Sequence, residues 1–488
     1  MGPGSMSLSA FNVYVPAFPA AGETLVYNTF SGTSAVLPDD TLAALRAAPE
    51  SAPLDPDLAD PGVGILVESR AAEERDFAEW MRGLKQDRTA VSALIATSYA
   101  CNLACTYCFQ EAVMNGKTMS KETADATVAF LAERVREVRP ATLELVFIGG
   151  EPLLHPHLVE RIAAGLLAAC TPLGVTLAFQ IITNGTLMTP ELVSRLLPLG
   201  LTSIQVTIDG DECSHGITRV DKKGKNTFQT TWNNVLACAP LVPIAIQGNY
   251  TDENVAGFVP LLARMQRDGL APDRVPRVKF KPALAALGTP EDAGIDSCTW
   301  SNARPEIQMA LGDAVRAFGY TPHDHLELGP CAIHQINHFS IGAEGGIYKC
   351  PGFVGKAEWT TGSVETGVTG RHAQLNALAN TRECGGCTWR PACAGGCIAT
   401  QWVAAAAPEG VNCERSYFDN VGVEVLKREY FNETLPPDEA LAAIARLGGV
   451  ALPTVMPSPA RASAAPQPGV PLVQIRTARP PVVAELAP

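Results

Sequence analysis

Val91-Ser-Ala-Leu-Ile-Ala-Thr97-Ser-Tyr-Ala-Cys101-Asn-Leu-Ala-Cys105-Thr-Tyr-Cys108 is the stretch on which the reading of this chain turns. The apolar run Val91–Thr97 predicts a buried strand. It ends in a loop carrying three cysteines spaced C-x3-C-x2-C. Thiolates at this spacing can hold three irons of a [4Fe–4S] cluster and leave the fourth iron without a protein ligand. Electron carriers of the ferredoxin type fill all four positions with cysteine. An open iron is a place where something else binds. With 14 Cys in 488 residues, random scatter produces such a triplet roughly 0.01 times per chain. Three ligands to a structural zinc, completed by a distant fourth, is the alternative that the triplet alone leaves open.

Outward from the triplet, strand and helix patterns alternate. Further strands are predicted at Thr142–Ile148, Thr176–Thr183, Ser203–Ile208, Pro243–Asn249 and Arg277–Lys281. Helices are predicted near 120–138, 157–170, 190–198, 228–238 and 254–268. Six βα units imply a parallel sheet with covered faces, and barrels of this type place their chemistry on the loops after the strands. Those loops carry distinctive residues. After the second strand come Gly149, Gly150, Glu151 and Pro152, where two glycines let backbone approach a ligand closely. After the third come Thr183 and Asn184, which offer hydroxyl and amide groups. After the fourth come Asp209 and, ten residues on, Arg219, suited to bidentate carboxylate recognition. Gln247 and Asn249 end the fifth.

Composition narrows the class. A 488-residue chain predicts two to four domains. The net charge of −13 argues against a phosphate-backbone footprint, and so against nucleic acid as the main partner. No apolar N-terminal signal and no 18-residue apolar run is present, which predicts a cytoplasmic protein without a membrane partner. In that setting many cysteines favour metal over disulfides. Residues 1–6, Met-Gly-Pro-Gly-Ser-Met, read as an expression remnant. Residues 7–90 predict short strands (Phe11–Val15, Thr24–Phe30, Ser34–Leu37, Gly64–Glu68) with helices at Asp40–Ala48 and Ala71–Lys85, a pattern compatible with a winged-helix-like module. Residues 283–330 read as a connector with helical pieces, 417–430 as a helix, and 432–488 as a Pro/Ala-rich tail, disordered over most of its length.

A second cysteine group runs Cys331-x13-Gly345-x4-Cys350, then Cys384-x2-Cys387-x5-Cys393-x3-Cys397, then Cys413. C-x2-C pairs also build zinc knuckles, so zinc is again the physical alternative.

The triplet and the GGEP segment together resemble the radical S-adenosylmethionine (radical SAM) enzymes, and the later cysteines resemble the SPASM extension of that family. The resemblance implies a partial (β/α)6 TIM-like barrel over 91–282 and a cysteine-rich Fe–S domain over 331–431. It implies that Cys101, Cys105 and Cys108 hold the catalytic cluster. The open iron chelates SAM, and one electron cleaves SAM to a 5′-deoxyadenosyl radical that abstracts hydrogen from substrate. It further implies Tyr107 near the adenine, with Phe109 flanking the same cysteine. Gly149, Gly150, Glu151 and Pro152 would meet the SAM amine, and Thr183 and Asn184 its ribose and carboxylate. Asp209, Arg219, Gln247 and Asn249 would line the rest of the pocket. Two auxiliary clusters follow: an outer one on Cys384, Cys387, Cys393 and Cys413, and an inner one on Cys331, Cys350 and Cys397. Fully ligated members have another Cys soon after the first; here that stretch is Ala332–His338, which leaves an open iron or a ligand from His334, His338 or Cys298.

Residues 7–90 resemble the leader-binding module of peptide maturases. The implied function is modification of a ribosomally synthesised precursor peptide by a C–S, C–C or related crosslink, with flavodoxin or ferredoxin as electron donor. Formylglycine formation on sulfatases and synthesis of a peptide-derived redox cofactor are alternatives. In the sulfatase branch an Asp follows the second inner-cluster cysteine, and here that position is Pro351. A non-catalytic Fe–S carrier or a zinc-structured binding protein is the alternative of another class.

Overall fold

Short antiparallel strands open the chain. In the computed structural model, β1 (Ser7–Leu8) pairs with β5 (Leu66–Val67), and β2 (Asn12–Pro16), β3 (Glu23–Asn28) and β4 (Thr33–Pro38) form a meander. Helix α1 (Asp39–Ala47) follows β4, and α2 (Arg70–Lys85) starts at Ser69, whose side chain accepts the Ala72 N–H as an N-cap. The structure describes residues 6–47, 58, 60, 62–108, 110, 113–283, 305–322, 326, 329, 331–378, 380–405 and 407–447.

The six predicted parallel strands form as β6 (Ala90–Ala96), β7 (Thr142–Ile148), β8 (Thr176–Thr183), β9 (Leu201–Thr207), β10 (Ile244–Tyr250) and β11 (Arg277–Pro282). Between them, among the described residues, lie six α-helices: α3 (Lys121–Val138), α4 (Pro156–Cys170), α5 (Pro190–Leu196), α6 (Glu212–Thr218), α7 (Phe228–Cys238) and α8 (Phe258–Arg267). The short α6 has no counterpart in the sequence pattern, because its seven residues are too few to show a helical period. The helix-facing positions of the strands are apolar, while β9 and β10 turn polar residues such as Gln205, Gln247 and Asn249 to the other face. One continuous core joins Val91, Ile95, Phe147, Phe179, Ile204 and Ile246 to the helices.

The cysteine-rich part extends the same sheet. Strand β12 (His338–Ile341) lies parallel to β6, with His338 opposite Ser92 and Ile341 opposite Ile95. Strands β13 (Gly346–Tyr348), β14 (Gly362–Ser363) and β15 (Gly367–Val368) continue it antiparallel. Among the described residues the sheet therefore holds ten strands, ordered β11-β10-β9-β8-β7-β6-β12-β13-β14-β15. The connector contributes α9 (Pro305–Ala317).

The N-terminal meander docks on the later cysteine segment. Val13 packs with Trp389, Phe418 and Leu426, and the Phe18 ring meets Tyr430 and Phe431. Arg390, between Cys387 and Cys393, is buried over Phe77 at 4.3 Å and Phe11 at 5.1 Å and pairs with Glu74 at 2.6 Å. The expected tail begins later than its composition suggests. Helices Val423–Thr434 and Pro437–Arg446 carry the chain past 432, because Phe431, Ala440, Ala443 and Ile444 bury apolar surface there. Residues 448–488 of the predicted tail lie outside the described residues. Among the described residues no helix is long and apolar enough to cross a membrane.

His215, on α6, is fully buried, and burial together with the nearby Arg219 cation pushes it down to about 3. The unfolded chain takes up a proton at this residue below about pH 6.5, and the folded chain does not. Stability therefore falls as pH drops from that value towards 3. Between pH 7.5 and 5.5 this residue alone should cost up to about 1.4 kcal/mol. Denaturant unfolding at the two pH values should show that loss in the parent and a smaller one in His215→Gln.

Candidate active site

The strand ends bring the predicted residues together on one side of the sheet. Beyond β6 the chain turns through Ser98–Ala100 into the triplet, and the loop beyond β7 packs directly on it. Gly150 N–H donates to Ser98 O at 2.8 Å and Glu151 N–H to Ala100 O at 2.9 Å. The approach excludes side chains: a Cβ at Gly149 would lie 2.3 Å from Ser98 O, and one at Gly150 2.3 Å from Ala100 O. Gly149 also has φ +146°, which favours glycine.

Glu151 turns inward. Its wholly buried carboxylate accepts from Leu153 N–H at 2.9 Å, Thr183 Oγ1 at 2.7 Å and Asn184 N–H at 2.8 Å. Burial raises its pKa, against the lowering effect of those donors. Glu151 thus ties the loop beyond β7 to the loop beyond β8. Pro152 begins the turn Pro152–Leu154, where its missing N–H costs nothing. Asn184 Nδ2 reaches Asn102 Oδ1 at 2.9 Å and Cys101 Sγ at 3.8 Å, and Leu103 N–H points at the same sulfur at 3.4 Å.

On the other flank, Tyr107 is the hub. Its hydroxyl donates to Asp209 Oδ2 and accepts from Arg219 Nη1 at 2.8 Å and Asn249 Nδ2 at 3.1 Å. Asp209 also accepts from Thr218 Oγ1 at 2.9 Å and Asn249 N–H at 2.9 Å. Burial raises the Asp209 pKa, opposed by Arg219. Gln247 is paired sideways, its Oε1 accepting from Gln205 Nε2 at 3.2 Å. Phe109 lies outside the described residues.

Cys105 lies within electrostatic reach of both Cys101 and Cys108 and of the Arg219 cation. Burial pushes the Cys101 thiol up to about 11, so without a metal it is protonated. Among the described residues no three His, Cys, Asp or Glu side chains close on a single point as one bound ion requires. A cubane spreads its ligands over separate corners. The set fits a cluster with a bound SAM on three counts. The three thiols share one loop, two N–H groups point at Cys101 Sγ, and the buried Arg219 Nε has no hydrogen-bond partner where an anionic group would sit.

The outer set also gathers. Cys384 lies within electrostatic reach of Cys387 and Cys413, and Cys393 of Cys384 and of the Glu414 backbone N–H. Gly396 (φ +80°) makes this possible, since a Cβ there would lie 1.8 Å from Asn412 O, next to Cys413. Of the inner set, Cys350 and Cys397 pack on the main core and Cys331 faces solvent near Lys349. Among the candidate fourth ligands, His338 spends its Nδ1 on Ser92 Oγ at 2.9 Å, while buried His334 has an Nδ1 with no hydrogen-bond partner. Cys298 lies outside the described residues. Sequence reasoning missed Asn102, which binds Thr186 Oγ1 at 2.8 Å, and the Tyr99–Glu344–Tyr348 contacts. No spacing rule marks any of these residues.

A parallel six-strand sheet with a cysteine triplet on its first loop defines a class, and comparison agrees. Residues 95–253 match the Radical SAM superfamily and form a Radical SAM domain. It is 30% identical over 139 residues to the Serine-type anaerobic sulfatase-maturating enzyme of Klebsiella aerogenes, covering 28% of this chain and 33% of that one. The chain thus spans about a third of the length of the sulfatase-maturating relatives it matches. It is 25% identical over 346 residues to Mycofactocin maturase MftC of Mycobacterium tuberculosis, covering 65% of this chain and 80% of that one. The solved structure of anSMEcpe with bound AdoMet and Kp18Cys peptide shares the fold at TM-score 0.53 and 18% identity, over 69% of this chain and 98% of that one.

Replacing Glu151 with Ala should leave three donors without an acceptor and destabilise the protein by about 3 kcal/mol or more. Gly150→Ala should force the two loops apart and lower iron retention. Denaturant unfolding and iron quantitation check the two outcomes.

Proposed function

We propose that this chain is a radical SAM peptide maturase acting on a ribosomally synthesised precursor peptide. The observation that carries the catalytic part is the convergence of the triplet, Gly149–Pro152, Thr183–Asn184 and the Tyr107–Asp209–Arg219–Asn249 network at the ends of consecutive parallel strands. Cys101, Cys105 and Cys108 would hold the catalytic [4Fe–4S] cluster. Cys384, Cys387, Cys393 and Cys413 would hold the outer auxiliary cluster, and Cys331, Cys350 and Cys397 the inner one. When bound, cluster and SAM supply one-electron chemistry and a hydrogen-abstracting radical; the protein supplies orientation and exclusion of water. Arg219 offers its unpartnered Nε to an anionic group of the ligand. Tyr107 fixes that guanidinium through its hydroxyl. Asn184 and Leu103 direct N–H groups at Cys101.

Two likenesses support the peptide part. The likeness to Mycofactocin maturase MftC is longer than the barrel, so it reaches into the flanking regions. The anSMEcpe structure shares this fold with AdoMet and a peptide bound. The N-terminal module over residues 7–90 would receive the leader, with flavodoxin or ferredoxin as donor in the cytoplasm. Pro351 in the position of the sulfatase branch's Asp argues against formylglycine formation, although that branch supplies a 30% identical match. The MftC likeness keeps a peptide-derived redox cofactor as the second reading.

Reconstituted protein should contain iron and sulfide and, with SAM and a reductant, release 5′-deoxyadenosine. Replacing Cys101, Cys105 and Cys108 together with Ala should abolish that release while auxiliary iron remains. Release that survives the triple replacement overturns the catalytic assignment. Co-expression with a neighbouring short peptide gene, followed by mass spectrometry, tests the substrate class.

A further inference from the structure

Two tyrosines sit at matching places before the two cysteine sites. Tyr99 precedes Cys101 by two residues, and Tyr348 precedes Cys350 by two. One carboxylate joins them. The Tyr99 hydroxyl donates to Glu344 Oε2 at 2.6 Å, and the Tyr348 hydroxyl donates to Glu344 Oε1 at 2.6 Å. Ala343 N–H donates in turn to the Tyr99 hydroxyl oxygen at 3.2 Å. Both rings are buried, so neither hydroxyl has water as a ready substitute.

The turn Gly342-Ala-Glu-Gly-Gly346 is shaped around this carboxylate. A Cβ at Gly342 would lie 2.4 Å from Glu344 Oε1 and 2.5 Å from the Tyr99 hydroxyl oxygen. One at Gly346 would lie 2.9 Å from Glu344 Oε1 and 3.0 Å from the Tyr348 hydroxyl oxygen. Gly345 adopts φ +85° between them. The bridge lies just past the paired ends of β6 and β12, where Ile341 faces Ile95. Strand pairing alone fixes the β6–β12 register but not the loops beyond it. Each loop leaves the sheet before reaching its cysteine.

We infer that the Tyr99–Glu344–Tyr348 bridge is a positioning element that locks the triplet loop to the Cys350 hairpin, so that the two cysteine sites are held as one unit. The consequence for clusters rests on the proposed function; the coupling of the two loops does not. Glu344 acts through the tyrosines and touches neither cysteine set in the contacts described.

The test uses the full chain carrying Tyr99→Phe, Tyr348→Phe or Glu344→Gln. Hydrogen exchange reads the loops without reference to metal. Tyr348→Phe should speed amide exchange across the bridge, over residues 97–101, by about 5- to 10-fold, the effect of one lost hydrogen bond. Tyr99→Phe should do the same over 343–348. Glu344→Gln, whose amide still meets both hydroxyls, should fall between these and the parent. In reconstituted protein with unchanged iron content, Tyr348→Phe should also alter the electron paramagnetic resonance spectrum and midpoint potential of the triplet's cluster, a change that loosening of its own hairpin would not make. Exchange over 97–101 at the parent's rate in Tyr348→Phe overturns the proposal, as does a triplet cluster with the parent's spectrum and potential. A parent chain that takes up no iron refutes the proposed function instead, and the exchange arm still decides the coupling.

Discussion

The inward-turned carboxylate of Glu151 is the constraint on which the rest of the site depends. Burying a charged group this completely costs several kcal/mol unless donors compensate. Here two backbone N–H groups and one hydroxyl do so, and they come from two different loops. The backbone on either side of the carboxylate is spent on a third loop, through Gly150 N–H to Ser98 O and Glu151 N–H to Ala100 O. The contacts of Gly150 and Glu151 therefore bind the loops after β6, β7 and β8 into one platform, with the triplet on its rim. The two glycines follow from the same geometry, since any side chain there would collide with the triplet loop's carbonyls.

The opposite rim has the same logic with different chemistry. Tyr107 lies between Cys105 and Cys108, and its hydroxyl contacts Asp209 after β9, Arg219 at the end of α6 and Asn249 in β10. Asp209 in turn is held by Thr218 and the Asn249 N–H. The triplet loop is thus fastened on one side through backbone and on the other through a phenol. A loop held from both sides keeps its sulfurs in place. Pre-organisation of that kind removes ordering cost from ligand binding.

The barrel was legible because its signals are local. A seven-residue apolar strand, a helix of matching length and a glycine-bearing loop recur on a scale that periodicity detects. The strands Thr142–Ile148 and Thr176–Thr183 and the helix Phe228–Cys238 have the predicted bounds. Long-range pairing was not legible. Nothing in the stretch His338–Ile341 announces that it adds to β6 across 246 residues, because a four-residue strand has too little pattern to name its partner. Arg390 is another case: in sequence it is a charged residue between two cysteines, and its place among the rings of Phe11 and Phe77 follows from packing alone. Glu151 shows the limit at the site itself. Its position was evident, but whether its carboxylate faced a ligand or the protein depended on donors 32 and 33 residues away.

Continuation of the sheet from β6 into β12 gives the two halves of the chain a common frame. In a chain built of separate modules, the later cysteines would reach the barrel through a flexible connection, and their distance from the triplet would vary. Here Ser92 and His338 lie opposite one another in adjacent parallel strands and share a hydrogen bond at 2.9 Å between their side chains. The N-terminal meander closes the arrangement from outside, because its apolar face is buried against Trp389, Phe418 and Leu426 rather than against the barrel.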